Sequence, residues 1–134
     1  MGDDEKKSGT DEKKPLVLVV EDDTFLSSVH KNKLAKEGFE VVITGNGREA
    51  LQFAKERRPD IILLDLIMPV MDGFETLKAL KADPALREVT VIILSNLSQE
   101  EDKQKFLDMG AVEYVVKANV SFSQVVEKVR QYLR

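Results

Sequence analysis

Five short, largely apolar runs, Leu16–Val20, Glu40–Thr44, Ile61–Leu64, 89–94 and 112–116, alternate along the chain with longer segments whose apolar residues recur at helical spacing. The runs are predicted strands and the segments between them predicted helices. Local signals mark several helix ends. Asp23 or Thr24 can cap the first helix, which stops before Gly38. Asn46 or Gly47 opens the second and Pro59 closes it, while Gly73 permits a tight entry to the third. Ser98 with Glu101 has the form of a capping box for the fourth. In the last segment Val125, Val126, Val129, Tyr132 and Leu133 fall on one face, and Glu127, Lys128, Arg130 and Gln131 on the other. Strands alternating with helices in this way predict an α/β protein with a doubly wound, five-stranded parallel sheet.

Two of the predicted strands end in acids. Glu21 and Asp22 follow the first, and Asp65 follows the third. Ligand sites in such sheets lie beyond the carboxyl ends of the strands. Two carboxylates brought to ~4 Å repel by roughly 4 kcal/mol at an effective dielectric of 20, a cost that a hard divalent cation removes.

Composition narrows the picture. The 134 residues suit one domain, and 43% hydrophobic with 33% charged residues is a globular balance. Residues 1–14 hold five acids and four lysines with no large apolar side chain after Met1, and read as a disordered charged tail before a domain at 15–134. No apolar run approaches the ~20 residues of a spanning helix, and the first residues do not resemble a signal peptide, so a cytoplasmic location without membrane insertion is expected. With no cysteine, a metal must take oxygen ligands or the lone His30, which reads as a solvated surface histidine of the first helix. A formal charge of −4 without clustered Lys and Arg argues against direct nucleic-acid binding.

The segments VLVVEDD with Glu21 and Asp22, ILLDLIMPVMDG with Asp65, VIILS with Ser95, and EYVVK with Tyr114 and Lys117, in this order and at these intervals, resemble the receiver domain of bacterial two-component response regulators. The resemblance covers 15–134. It implies the flavodoxin-like receiver fold, strand order 2-1-3-4-5 flanked by five helices. It also implies a phosphoacceptor signalling domain rather than a metabolic enzyme. Asp65 would accept a phosphoryl group from a sensor histidine kinase or a histidine phosphotransfer protein. Mg2+, with Mn2+ as an alternative, would be held by Asp22, Asp65, the backbone carbonyl of Ile67 and, through water, Glu21. Lys117 would pair with the phosphoryl oxygens and Ser95 would donate its hydroxyl to them. Ser95 and Tyr114 would form the switch. The fourth helix, fifth strand and fifth helix, about 98–134, would turn it into an altered surface for a downstream protein target or a homodimer that forms on phosphorylation. The chain ends with the fifth helix, which fits a stand-alone regulator or a fragment of a longer protein.

Three positions tune the rate in this reading. Ile67 and Leu97 are apolar, cannot orient an attacking water, and predict a long-lived acyl phosphate. Asn96 stands where the family has a small residue, and its amide can contact phosphate or hinder its approach. Ala118 replaces a proline that usually follows a cis bond; a non-proline cis bond costs roughly 3 kcal/mol, which favours a trans bond and an altered loop. A receiver-like interaction scaffold that works without phosphorylation is the alternative function. An aspartyl phosphatase of the haloacid dehalogenase type would need an acid where Ile67 stands.

Overall fold

The computed structural model describes residues 14–96 and 99–133. The order of elements is β1 (Leu16–Val20), α1 (Thr24–Lys36), β2 (Glu40–Thr44), α2 (Gly47–Glu56), β3 (Ile61–Leu64), α3 (Gly73–Ala82), β4 (Thr90–Ser95), α4 (Glu100–Asp108), β5 (Glu113–Val116), a short 3-10 turn (Lys117–Asn119) and α5 (Phe122–Tyr132). All neighbouring strand pairs are parallel, in the order β2-β1-β3-β4-β5. The doubly wound sheet and its strand order are as predicted. β4 runs one residue later than its apolar stretch, and β5 begins at Glu113 rather than Val112.

The strands read as unbroken apolar runs because both faces of the sheet are covered. Successive side chains point to opposite faces, so the core divides in two. Leu18, Val20, Ile62, Leu64, Val91 and Ile93 pack with residues of α2, α3 and α4, such as Ala54, Leu77 and Phe106. Val17, Val19, Ile61, Leu63, Ile92 and Leu94 pack with α1 and α5 through Leu34, Val125, Val126 and Val129.

Helix ends follow local chemistry. Asp23 caps α1, its carboxylate accepting the Leu26 N–H, and Asn46 caps α2 by accepting from Glu49. α1 closes with Gly38 at φ +95, where Gly38 N–H reaches Ala35 O and Phe39 N–H reaches Leu34 O, both at 3.2 Å. Two complete capping boxes, Asp72 with Glu75 on α3 and Ser121 with Gln124 on α5, carry the D-x-x-E and S-x-x-Q spacings of that motif and add to the expected helix starts. The box expected on Ser98 and Glu101 falls partly outside the described residues, and α4 starts from Gln99 without a side-chain cap.

The β3–α3 loop contains a strained turn. Met71 N–H donates to Pro69 O at 2.6 Å, and the residue between them, Val70, has φ +68. A three-residue turn with positive φ at a β-branched centre is unfavourable. Bonds from Gly47 N–H to Met71 O (3.1 Å) and from Gly73 N–H to Leu66 O (3.0 Å) hold the loop in place. Val70→Gly is therefore expected to raise stability by about 0.5–1 kcal/mol, the relief of strain exceeding the added freedom of the unfolded chain; the midpoint of urea unfolding checks it.

Candidate phosphoacceptor site

The site follows from strand register. Val20 of β1 pairs with Leu64 of β3, so the next residues, Glu21 and Asp65, emerge side by side at the carboxyl edge of the sheet. Their backbones stay in the ladder, with Asp65 N–H on Val20 O and Glu21 N–H on Thr44 O, each at 3.0 Å. Asp22 follows on the exposed side. At the far side Ser95 pairs with Val116, which places Lys117 one residue beyond the end of β5.

These side chains converge. Lys117 Nζ donates to Glu21 Oε1 at 2.5 Å and lies 3.4 Å from Asp65 Oδ2. Glu21 Oε2 accepts the Asp23 N–H at 3.2 Å, and Asp65 Oδ1 accepts the Leu66 N–H at 2.8 Å. Both carboxylates are buried, at 5% and 7% exposure. Burial, and then the charge of Glu21, push the Asp65 carboxyl up to about 6, against the pull of Lys117. For Lys117 burial acts downward, but contacts with Glu21 and Asp65 outweigh it and hold the ammonium above its usual range.

One ammonium against two buried carboxylates leaves negative charge in excess, before Asp22 is counted. Oxygen atoms of Glu21, Asp22 and Asp65 lie within 4.8 Å of one another, the one such group among the described residues. An all-oxygen acidic donor set suits a hard divalent cation.

The structure brings together Glu21, Asp22, Asp65 and Lys117, with Ser95 fully buried at the end of β4. The Tyr114 hydroxyl is hydrogen-bonded to the Ser95 side chain, and burial raises the phenol against the effect of that bond. Its ring lies 6.0 Å from Phe106 of α4, and Phe106 lies 6.2 Å from Phe74 of α3. Ile67 stands at the mouth, 62% exposed. Leu97 falls outside the described residues. The Lys117–Ala118 bond is trans, and Asn96 Oδ1 accepts the Ala118 N–H at 3.1 Å, a contact that no single motif announced.

His30 corrects an expectation. It is 5% exposed, not solvated, and meets the Phe122 ring edge-on at 4.9 Å between α1 and α5. The first helix carries polar residues on several sides, so periodicity did not mark its inner face. Burial lowers the imidazole below its ordinary value, with Glu21 acting upward and Lys117 downward. The unfolded chain therefore binds this proton more readily than the folded one, and the stability carried by neutral His30 is complete above pH 6.5 and lost as the pH falls below it. His30→Leu is expected to flatten the loss of melting temperature between pH 7 and pH 5. Asp65→Asn is the proper background, because Asp65 has the opposite slope over part of that window.

A doubly wound parallel sheet with a buried acid, a lysine beside it and a cluster of carboxylates at its carboxyl edge is the layout of an α/β signalling domain. The chain matches the family model described as the response regulator receiver domain over residues 17–130 and belongs to that family. It is 33% identical to the polar-differentiation response regulator DivK of Brucella anthropi over 117 residues, covering 87% of this chain and 94% of that protein. It is 41% identical to the transcriptional regulatory protein PrrA of Mycobacterium tuberculosis over 120 residues, 90% of this chain and only 50% of PrrA. Among solved structures, the chemotaxis response regulator CheY4 of Vibrio cholerae superposes with a TM-score of 0.83 at 30% identity, covering 90% of this chain and all of that one. The fold is the flavodoxin-like receiver fold. Among the described residues no helix is long and apolar enough to cross a membrane.

Proposed function

We propose that this chain is a magnesium-dependent phosphoacceptor whose nucleophile is Asp65, fed by a sensor histidine kinase or a histidine phosphotransfer protein in the cytoplasm. The observation that carries the reading is the approach of the Lys117 ammonium to within 3.4 Å of the buried Asp65 carboxylate inside an acidic cluster. An Asp65 oxygen attacks phosphorus, the phosphorus–nitrogen bond of the donor breaks, and the imidazole leaves with a proton. Asp22, Asp65, the Ile67 carbonyl and, through water, Glu21 would hold Mg2+, with Mn2+ a substitute, and the cation would neutralise charge on the phosphoryl oxygens. Lys117 pairs with one phosphoryl oxygen and moves away from Glu21 to do so. Ser95 donates its hydroxyl to another, which draws on its bond to Tyr114.

Tyr114 then repacks, and the Phe106 contact carries the change to α4. Phosphorylation shifts an existing equilibrium of the α4–β5–α5 surface towards a form that binds a downstream protein or a second copy of the chain. Exposed, apolar Ile67 gives an attacking water no hydrogen-bond partner, which favours a long-lived acyl phosphate.

Intact mass after incubation with acetyl phosphate tests the reading. One phosphoryl group gained with magnesium and none in chelator is the expected result. A folded chain that gains nothing with magnesium present sinks it, and leaves the unphosphorylated interaction scaffold.

A further inference from the structure

We propose that Asn96 is a positioning residue for Lys117, acting through the backbone of Ala118; the inference rests on the phosphoacceptor reading of Asp65. The β4–β5 ladder ends at the pair Ser95 and Val116. One step beyond, main-chain pairing gives way to a side chain, with Asn96 Oδ1 accepting the Ala118 N–H at 3.1 Å. Ala118 is the middle residue of the 3-10 turn that Lys117 opens, and Val120 N–H closes that turn on Lys117 O at 3.4 Å. The Asn96 amide therefore adds a last rung to the sheet and fixes the backbone from which the lysine stem starts.

Packing alone does not fix it. A cavity of about 260 Å³ lies beside the lysine, lined by Leu26, His30 and Phe122 as well as by Lys117 itself. Lysine has a flexible four-carbon stem with much rotamer freedom, and open space at its side leaves alternative directions for it. Contacts at both ends oppose that freedom: Glu21 and Asp65 at the ammonium, and the Asn96 bond at the backbone. During phosphoryl transfer the ammonium must exchange Glu21 for a phosphoryl oxygen, so the Asn96 bond is the one that persists through the reaction. Its role also links two residue types. An acceptor at 96 is useful only if residue 118 has an N–H, which alanine supplies and proline lacks. The amide oxygen, the part of Asn96 that would repel phosphate, is occupied by this bond.

The test is a cycle of Asn96→Ala, Lys117→Ala and the double variant, with Asn96→Asp keeping the acceptor. Rates of magnesium-dependent phosphorylation are measured at saturating acetyl phosphate, alongside the nuclear magnetic resonance signals of the Ala118 amide and the Lys117 ammonium. Asn96→Ala should slow phosphorylation roughly five-fold, the size of one neutral hydrogen bond, and move both signals. In the Lys117→Ala background it should change the rate no further. Asn96→Asp should keep the Ala118 amide protected from exchange. An unchanged rate in Asn96→Ala, or the same loss with and without Lys117, overturns the inference. If the native chain takes no phosphoryl group, the phosphoacceptor reading fails by itself. The Lys117 ammonium signal then decides the positioning role: movement in Asn96→Ala upholds it and a stationary signal overturns it.

Discussion

Asp65→Asn is expected to abolish phosphoryl uptake completely and, in the absence of divalent cations, to make the protein more stable at pH 8. The two effects have one origin. Burial and the neighbouring Glu21 raise the Asp65 carboxyl to about 6 from its ordinary 3.8, so the folded chain holds that proton more tightly than the unfolded chain. The stability gained from the proton is complete below pH 3.8 and is lost as the pH rises through 6. An amide at this position never ionises and avoids the loss. With allowance for solvent at the open mouth of the site, the gain is about 1–2 kcal/mol, or about 4–8 °C in melting temperature. Magnesium, held as proposed, should reverse the order. At a hundred times its dissociation constant it would stabilise the native chain by about 2.7 kcal/mol, and the variant far less because a proposed ligand charge is gone. Thermal melts at pH 8 with and without magnesium check both signs, and a native chain more stable than the variant in chelator would contradict the electrostatic account.

Gly73→Ala should cost the protein much of its stability through a single added methyl group. Gly73 opens α3 directly behind Asp65. A Cβ there would sit 2.6 Å from the Asp65 carbonyl oxygen, 2.6 Å from Leu66 Cδ2 and 2.7 Å from Leu66 Cα. Two of these atoms belong to the backbone, and Leu66 is only 5% exposed, so neither side can yield without moving the strand end. Alanine gains about 1 kcal/mol in helix propensity, but overpacking against backbone outweighs it. The expected net loss is about 2–3 kcal/mol, near 10 °C in melting temperature. Because displacement of Asp65 by even a fraction of an ångström spoils alignment for attack, phosphorylation should also slow at least roughly ten-fold. A melting temperature within about 2 °C of the native chain, the width of a surface substitution, would show that the loop gives way freely.

Much of the fold and of the site is legible in the amino-acid sequence. Five short, largely apolar runs alternating with helical segments have few other meanings, and two of them, Leu16–Val20 and Ile61–Leu64, are followed by acids. Glu21 and Asp65 could be placed together because parallel strands bring their ends to one edge. Other features were hidden for physical reasons. The polar residues of α1 blur its inner face, so His30 read as solvent-exposed although it packs against α5. The bond from Ala118 to Asn96 joins residues 22 positions apart in sequence, and neither residue alone signals the other. The strain at Val70 comes from bonds that fix the loop at both ends, which a local propensity cannot foresee.

The tyrosines give the protein a built-in optical reporter. The chain has two tyrosines and no tryptophan. Tyr132, on α5, donates its hydroxyl to Glu113 at 2.8 Å, whereas Tyr114 is bonded to the buried Ser95. In a Tyr132→Phe chain all near-ultraviolet absorption and emission of tyrosine would arise from one ring, Tyr114, beside Ser95 at the end of β4. Stopped-flow fluorescence of the unlabelled protein could then time the repacking of Tyr114 separately from the arrival of the phosphoryl group, without a dye that would itself disturb so small a domain.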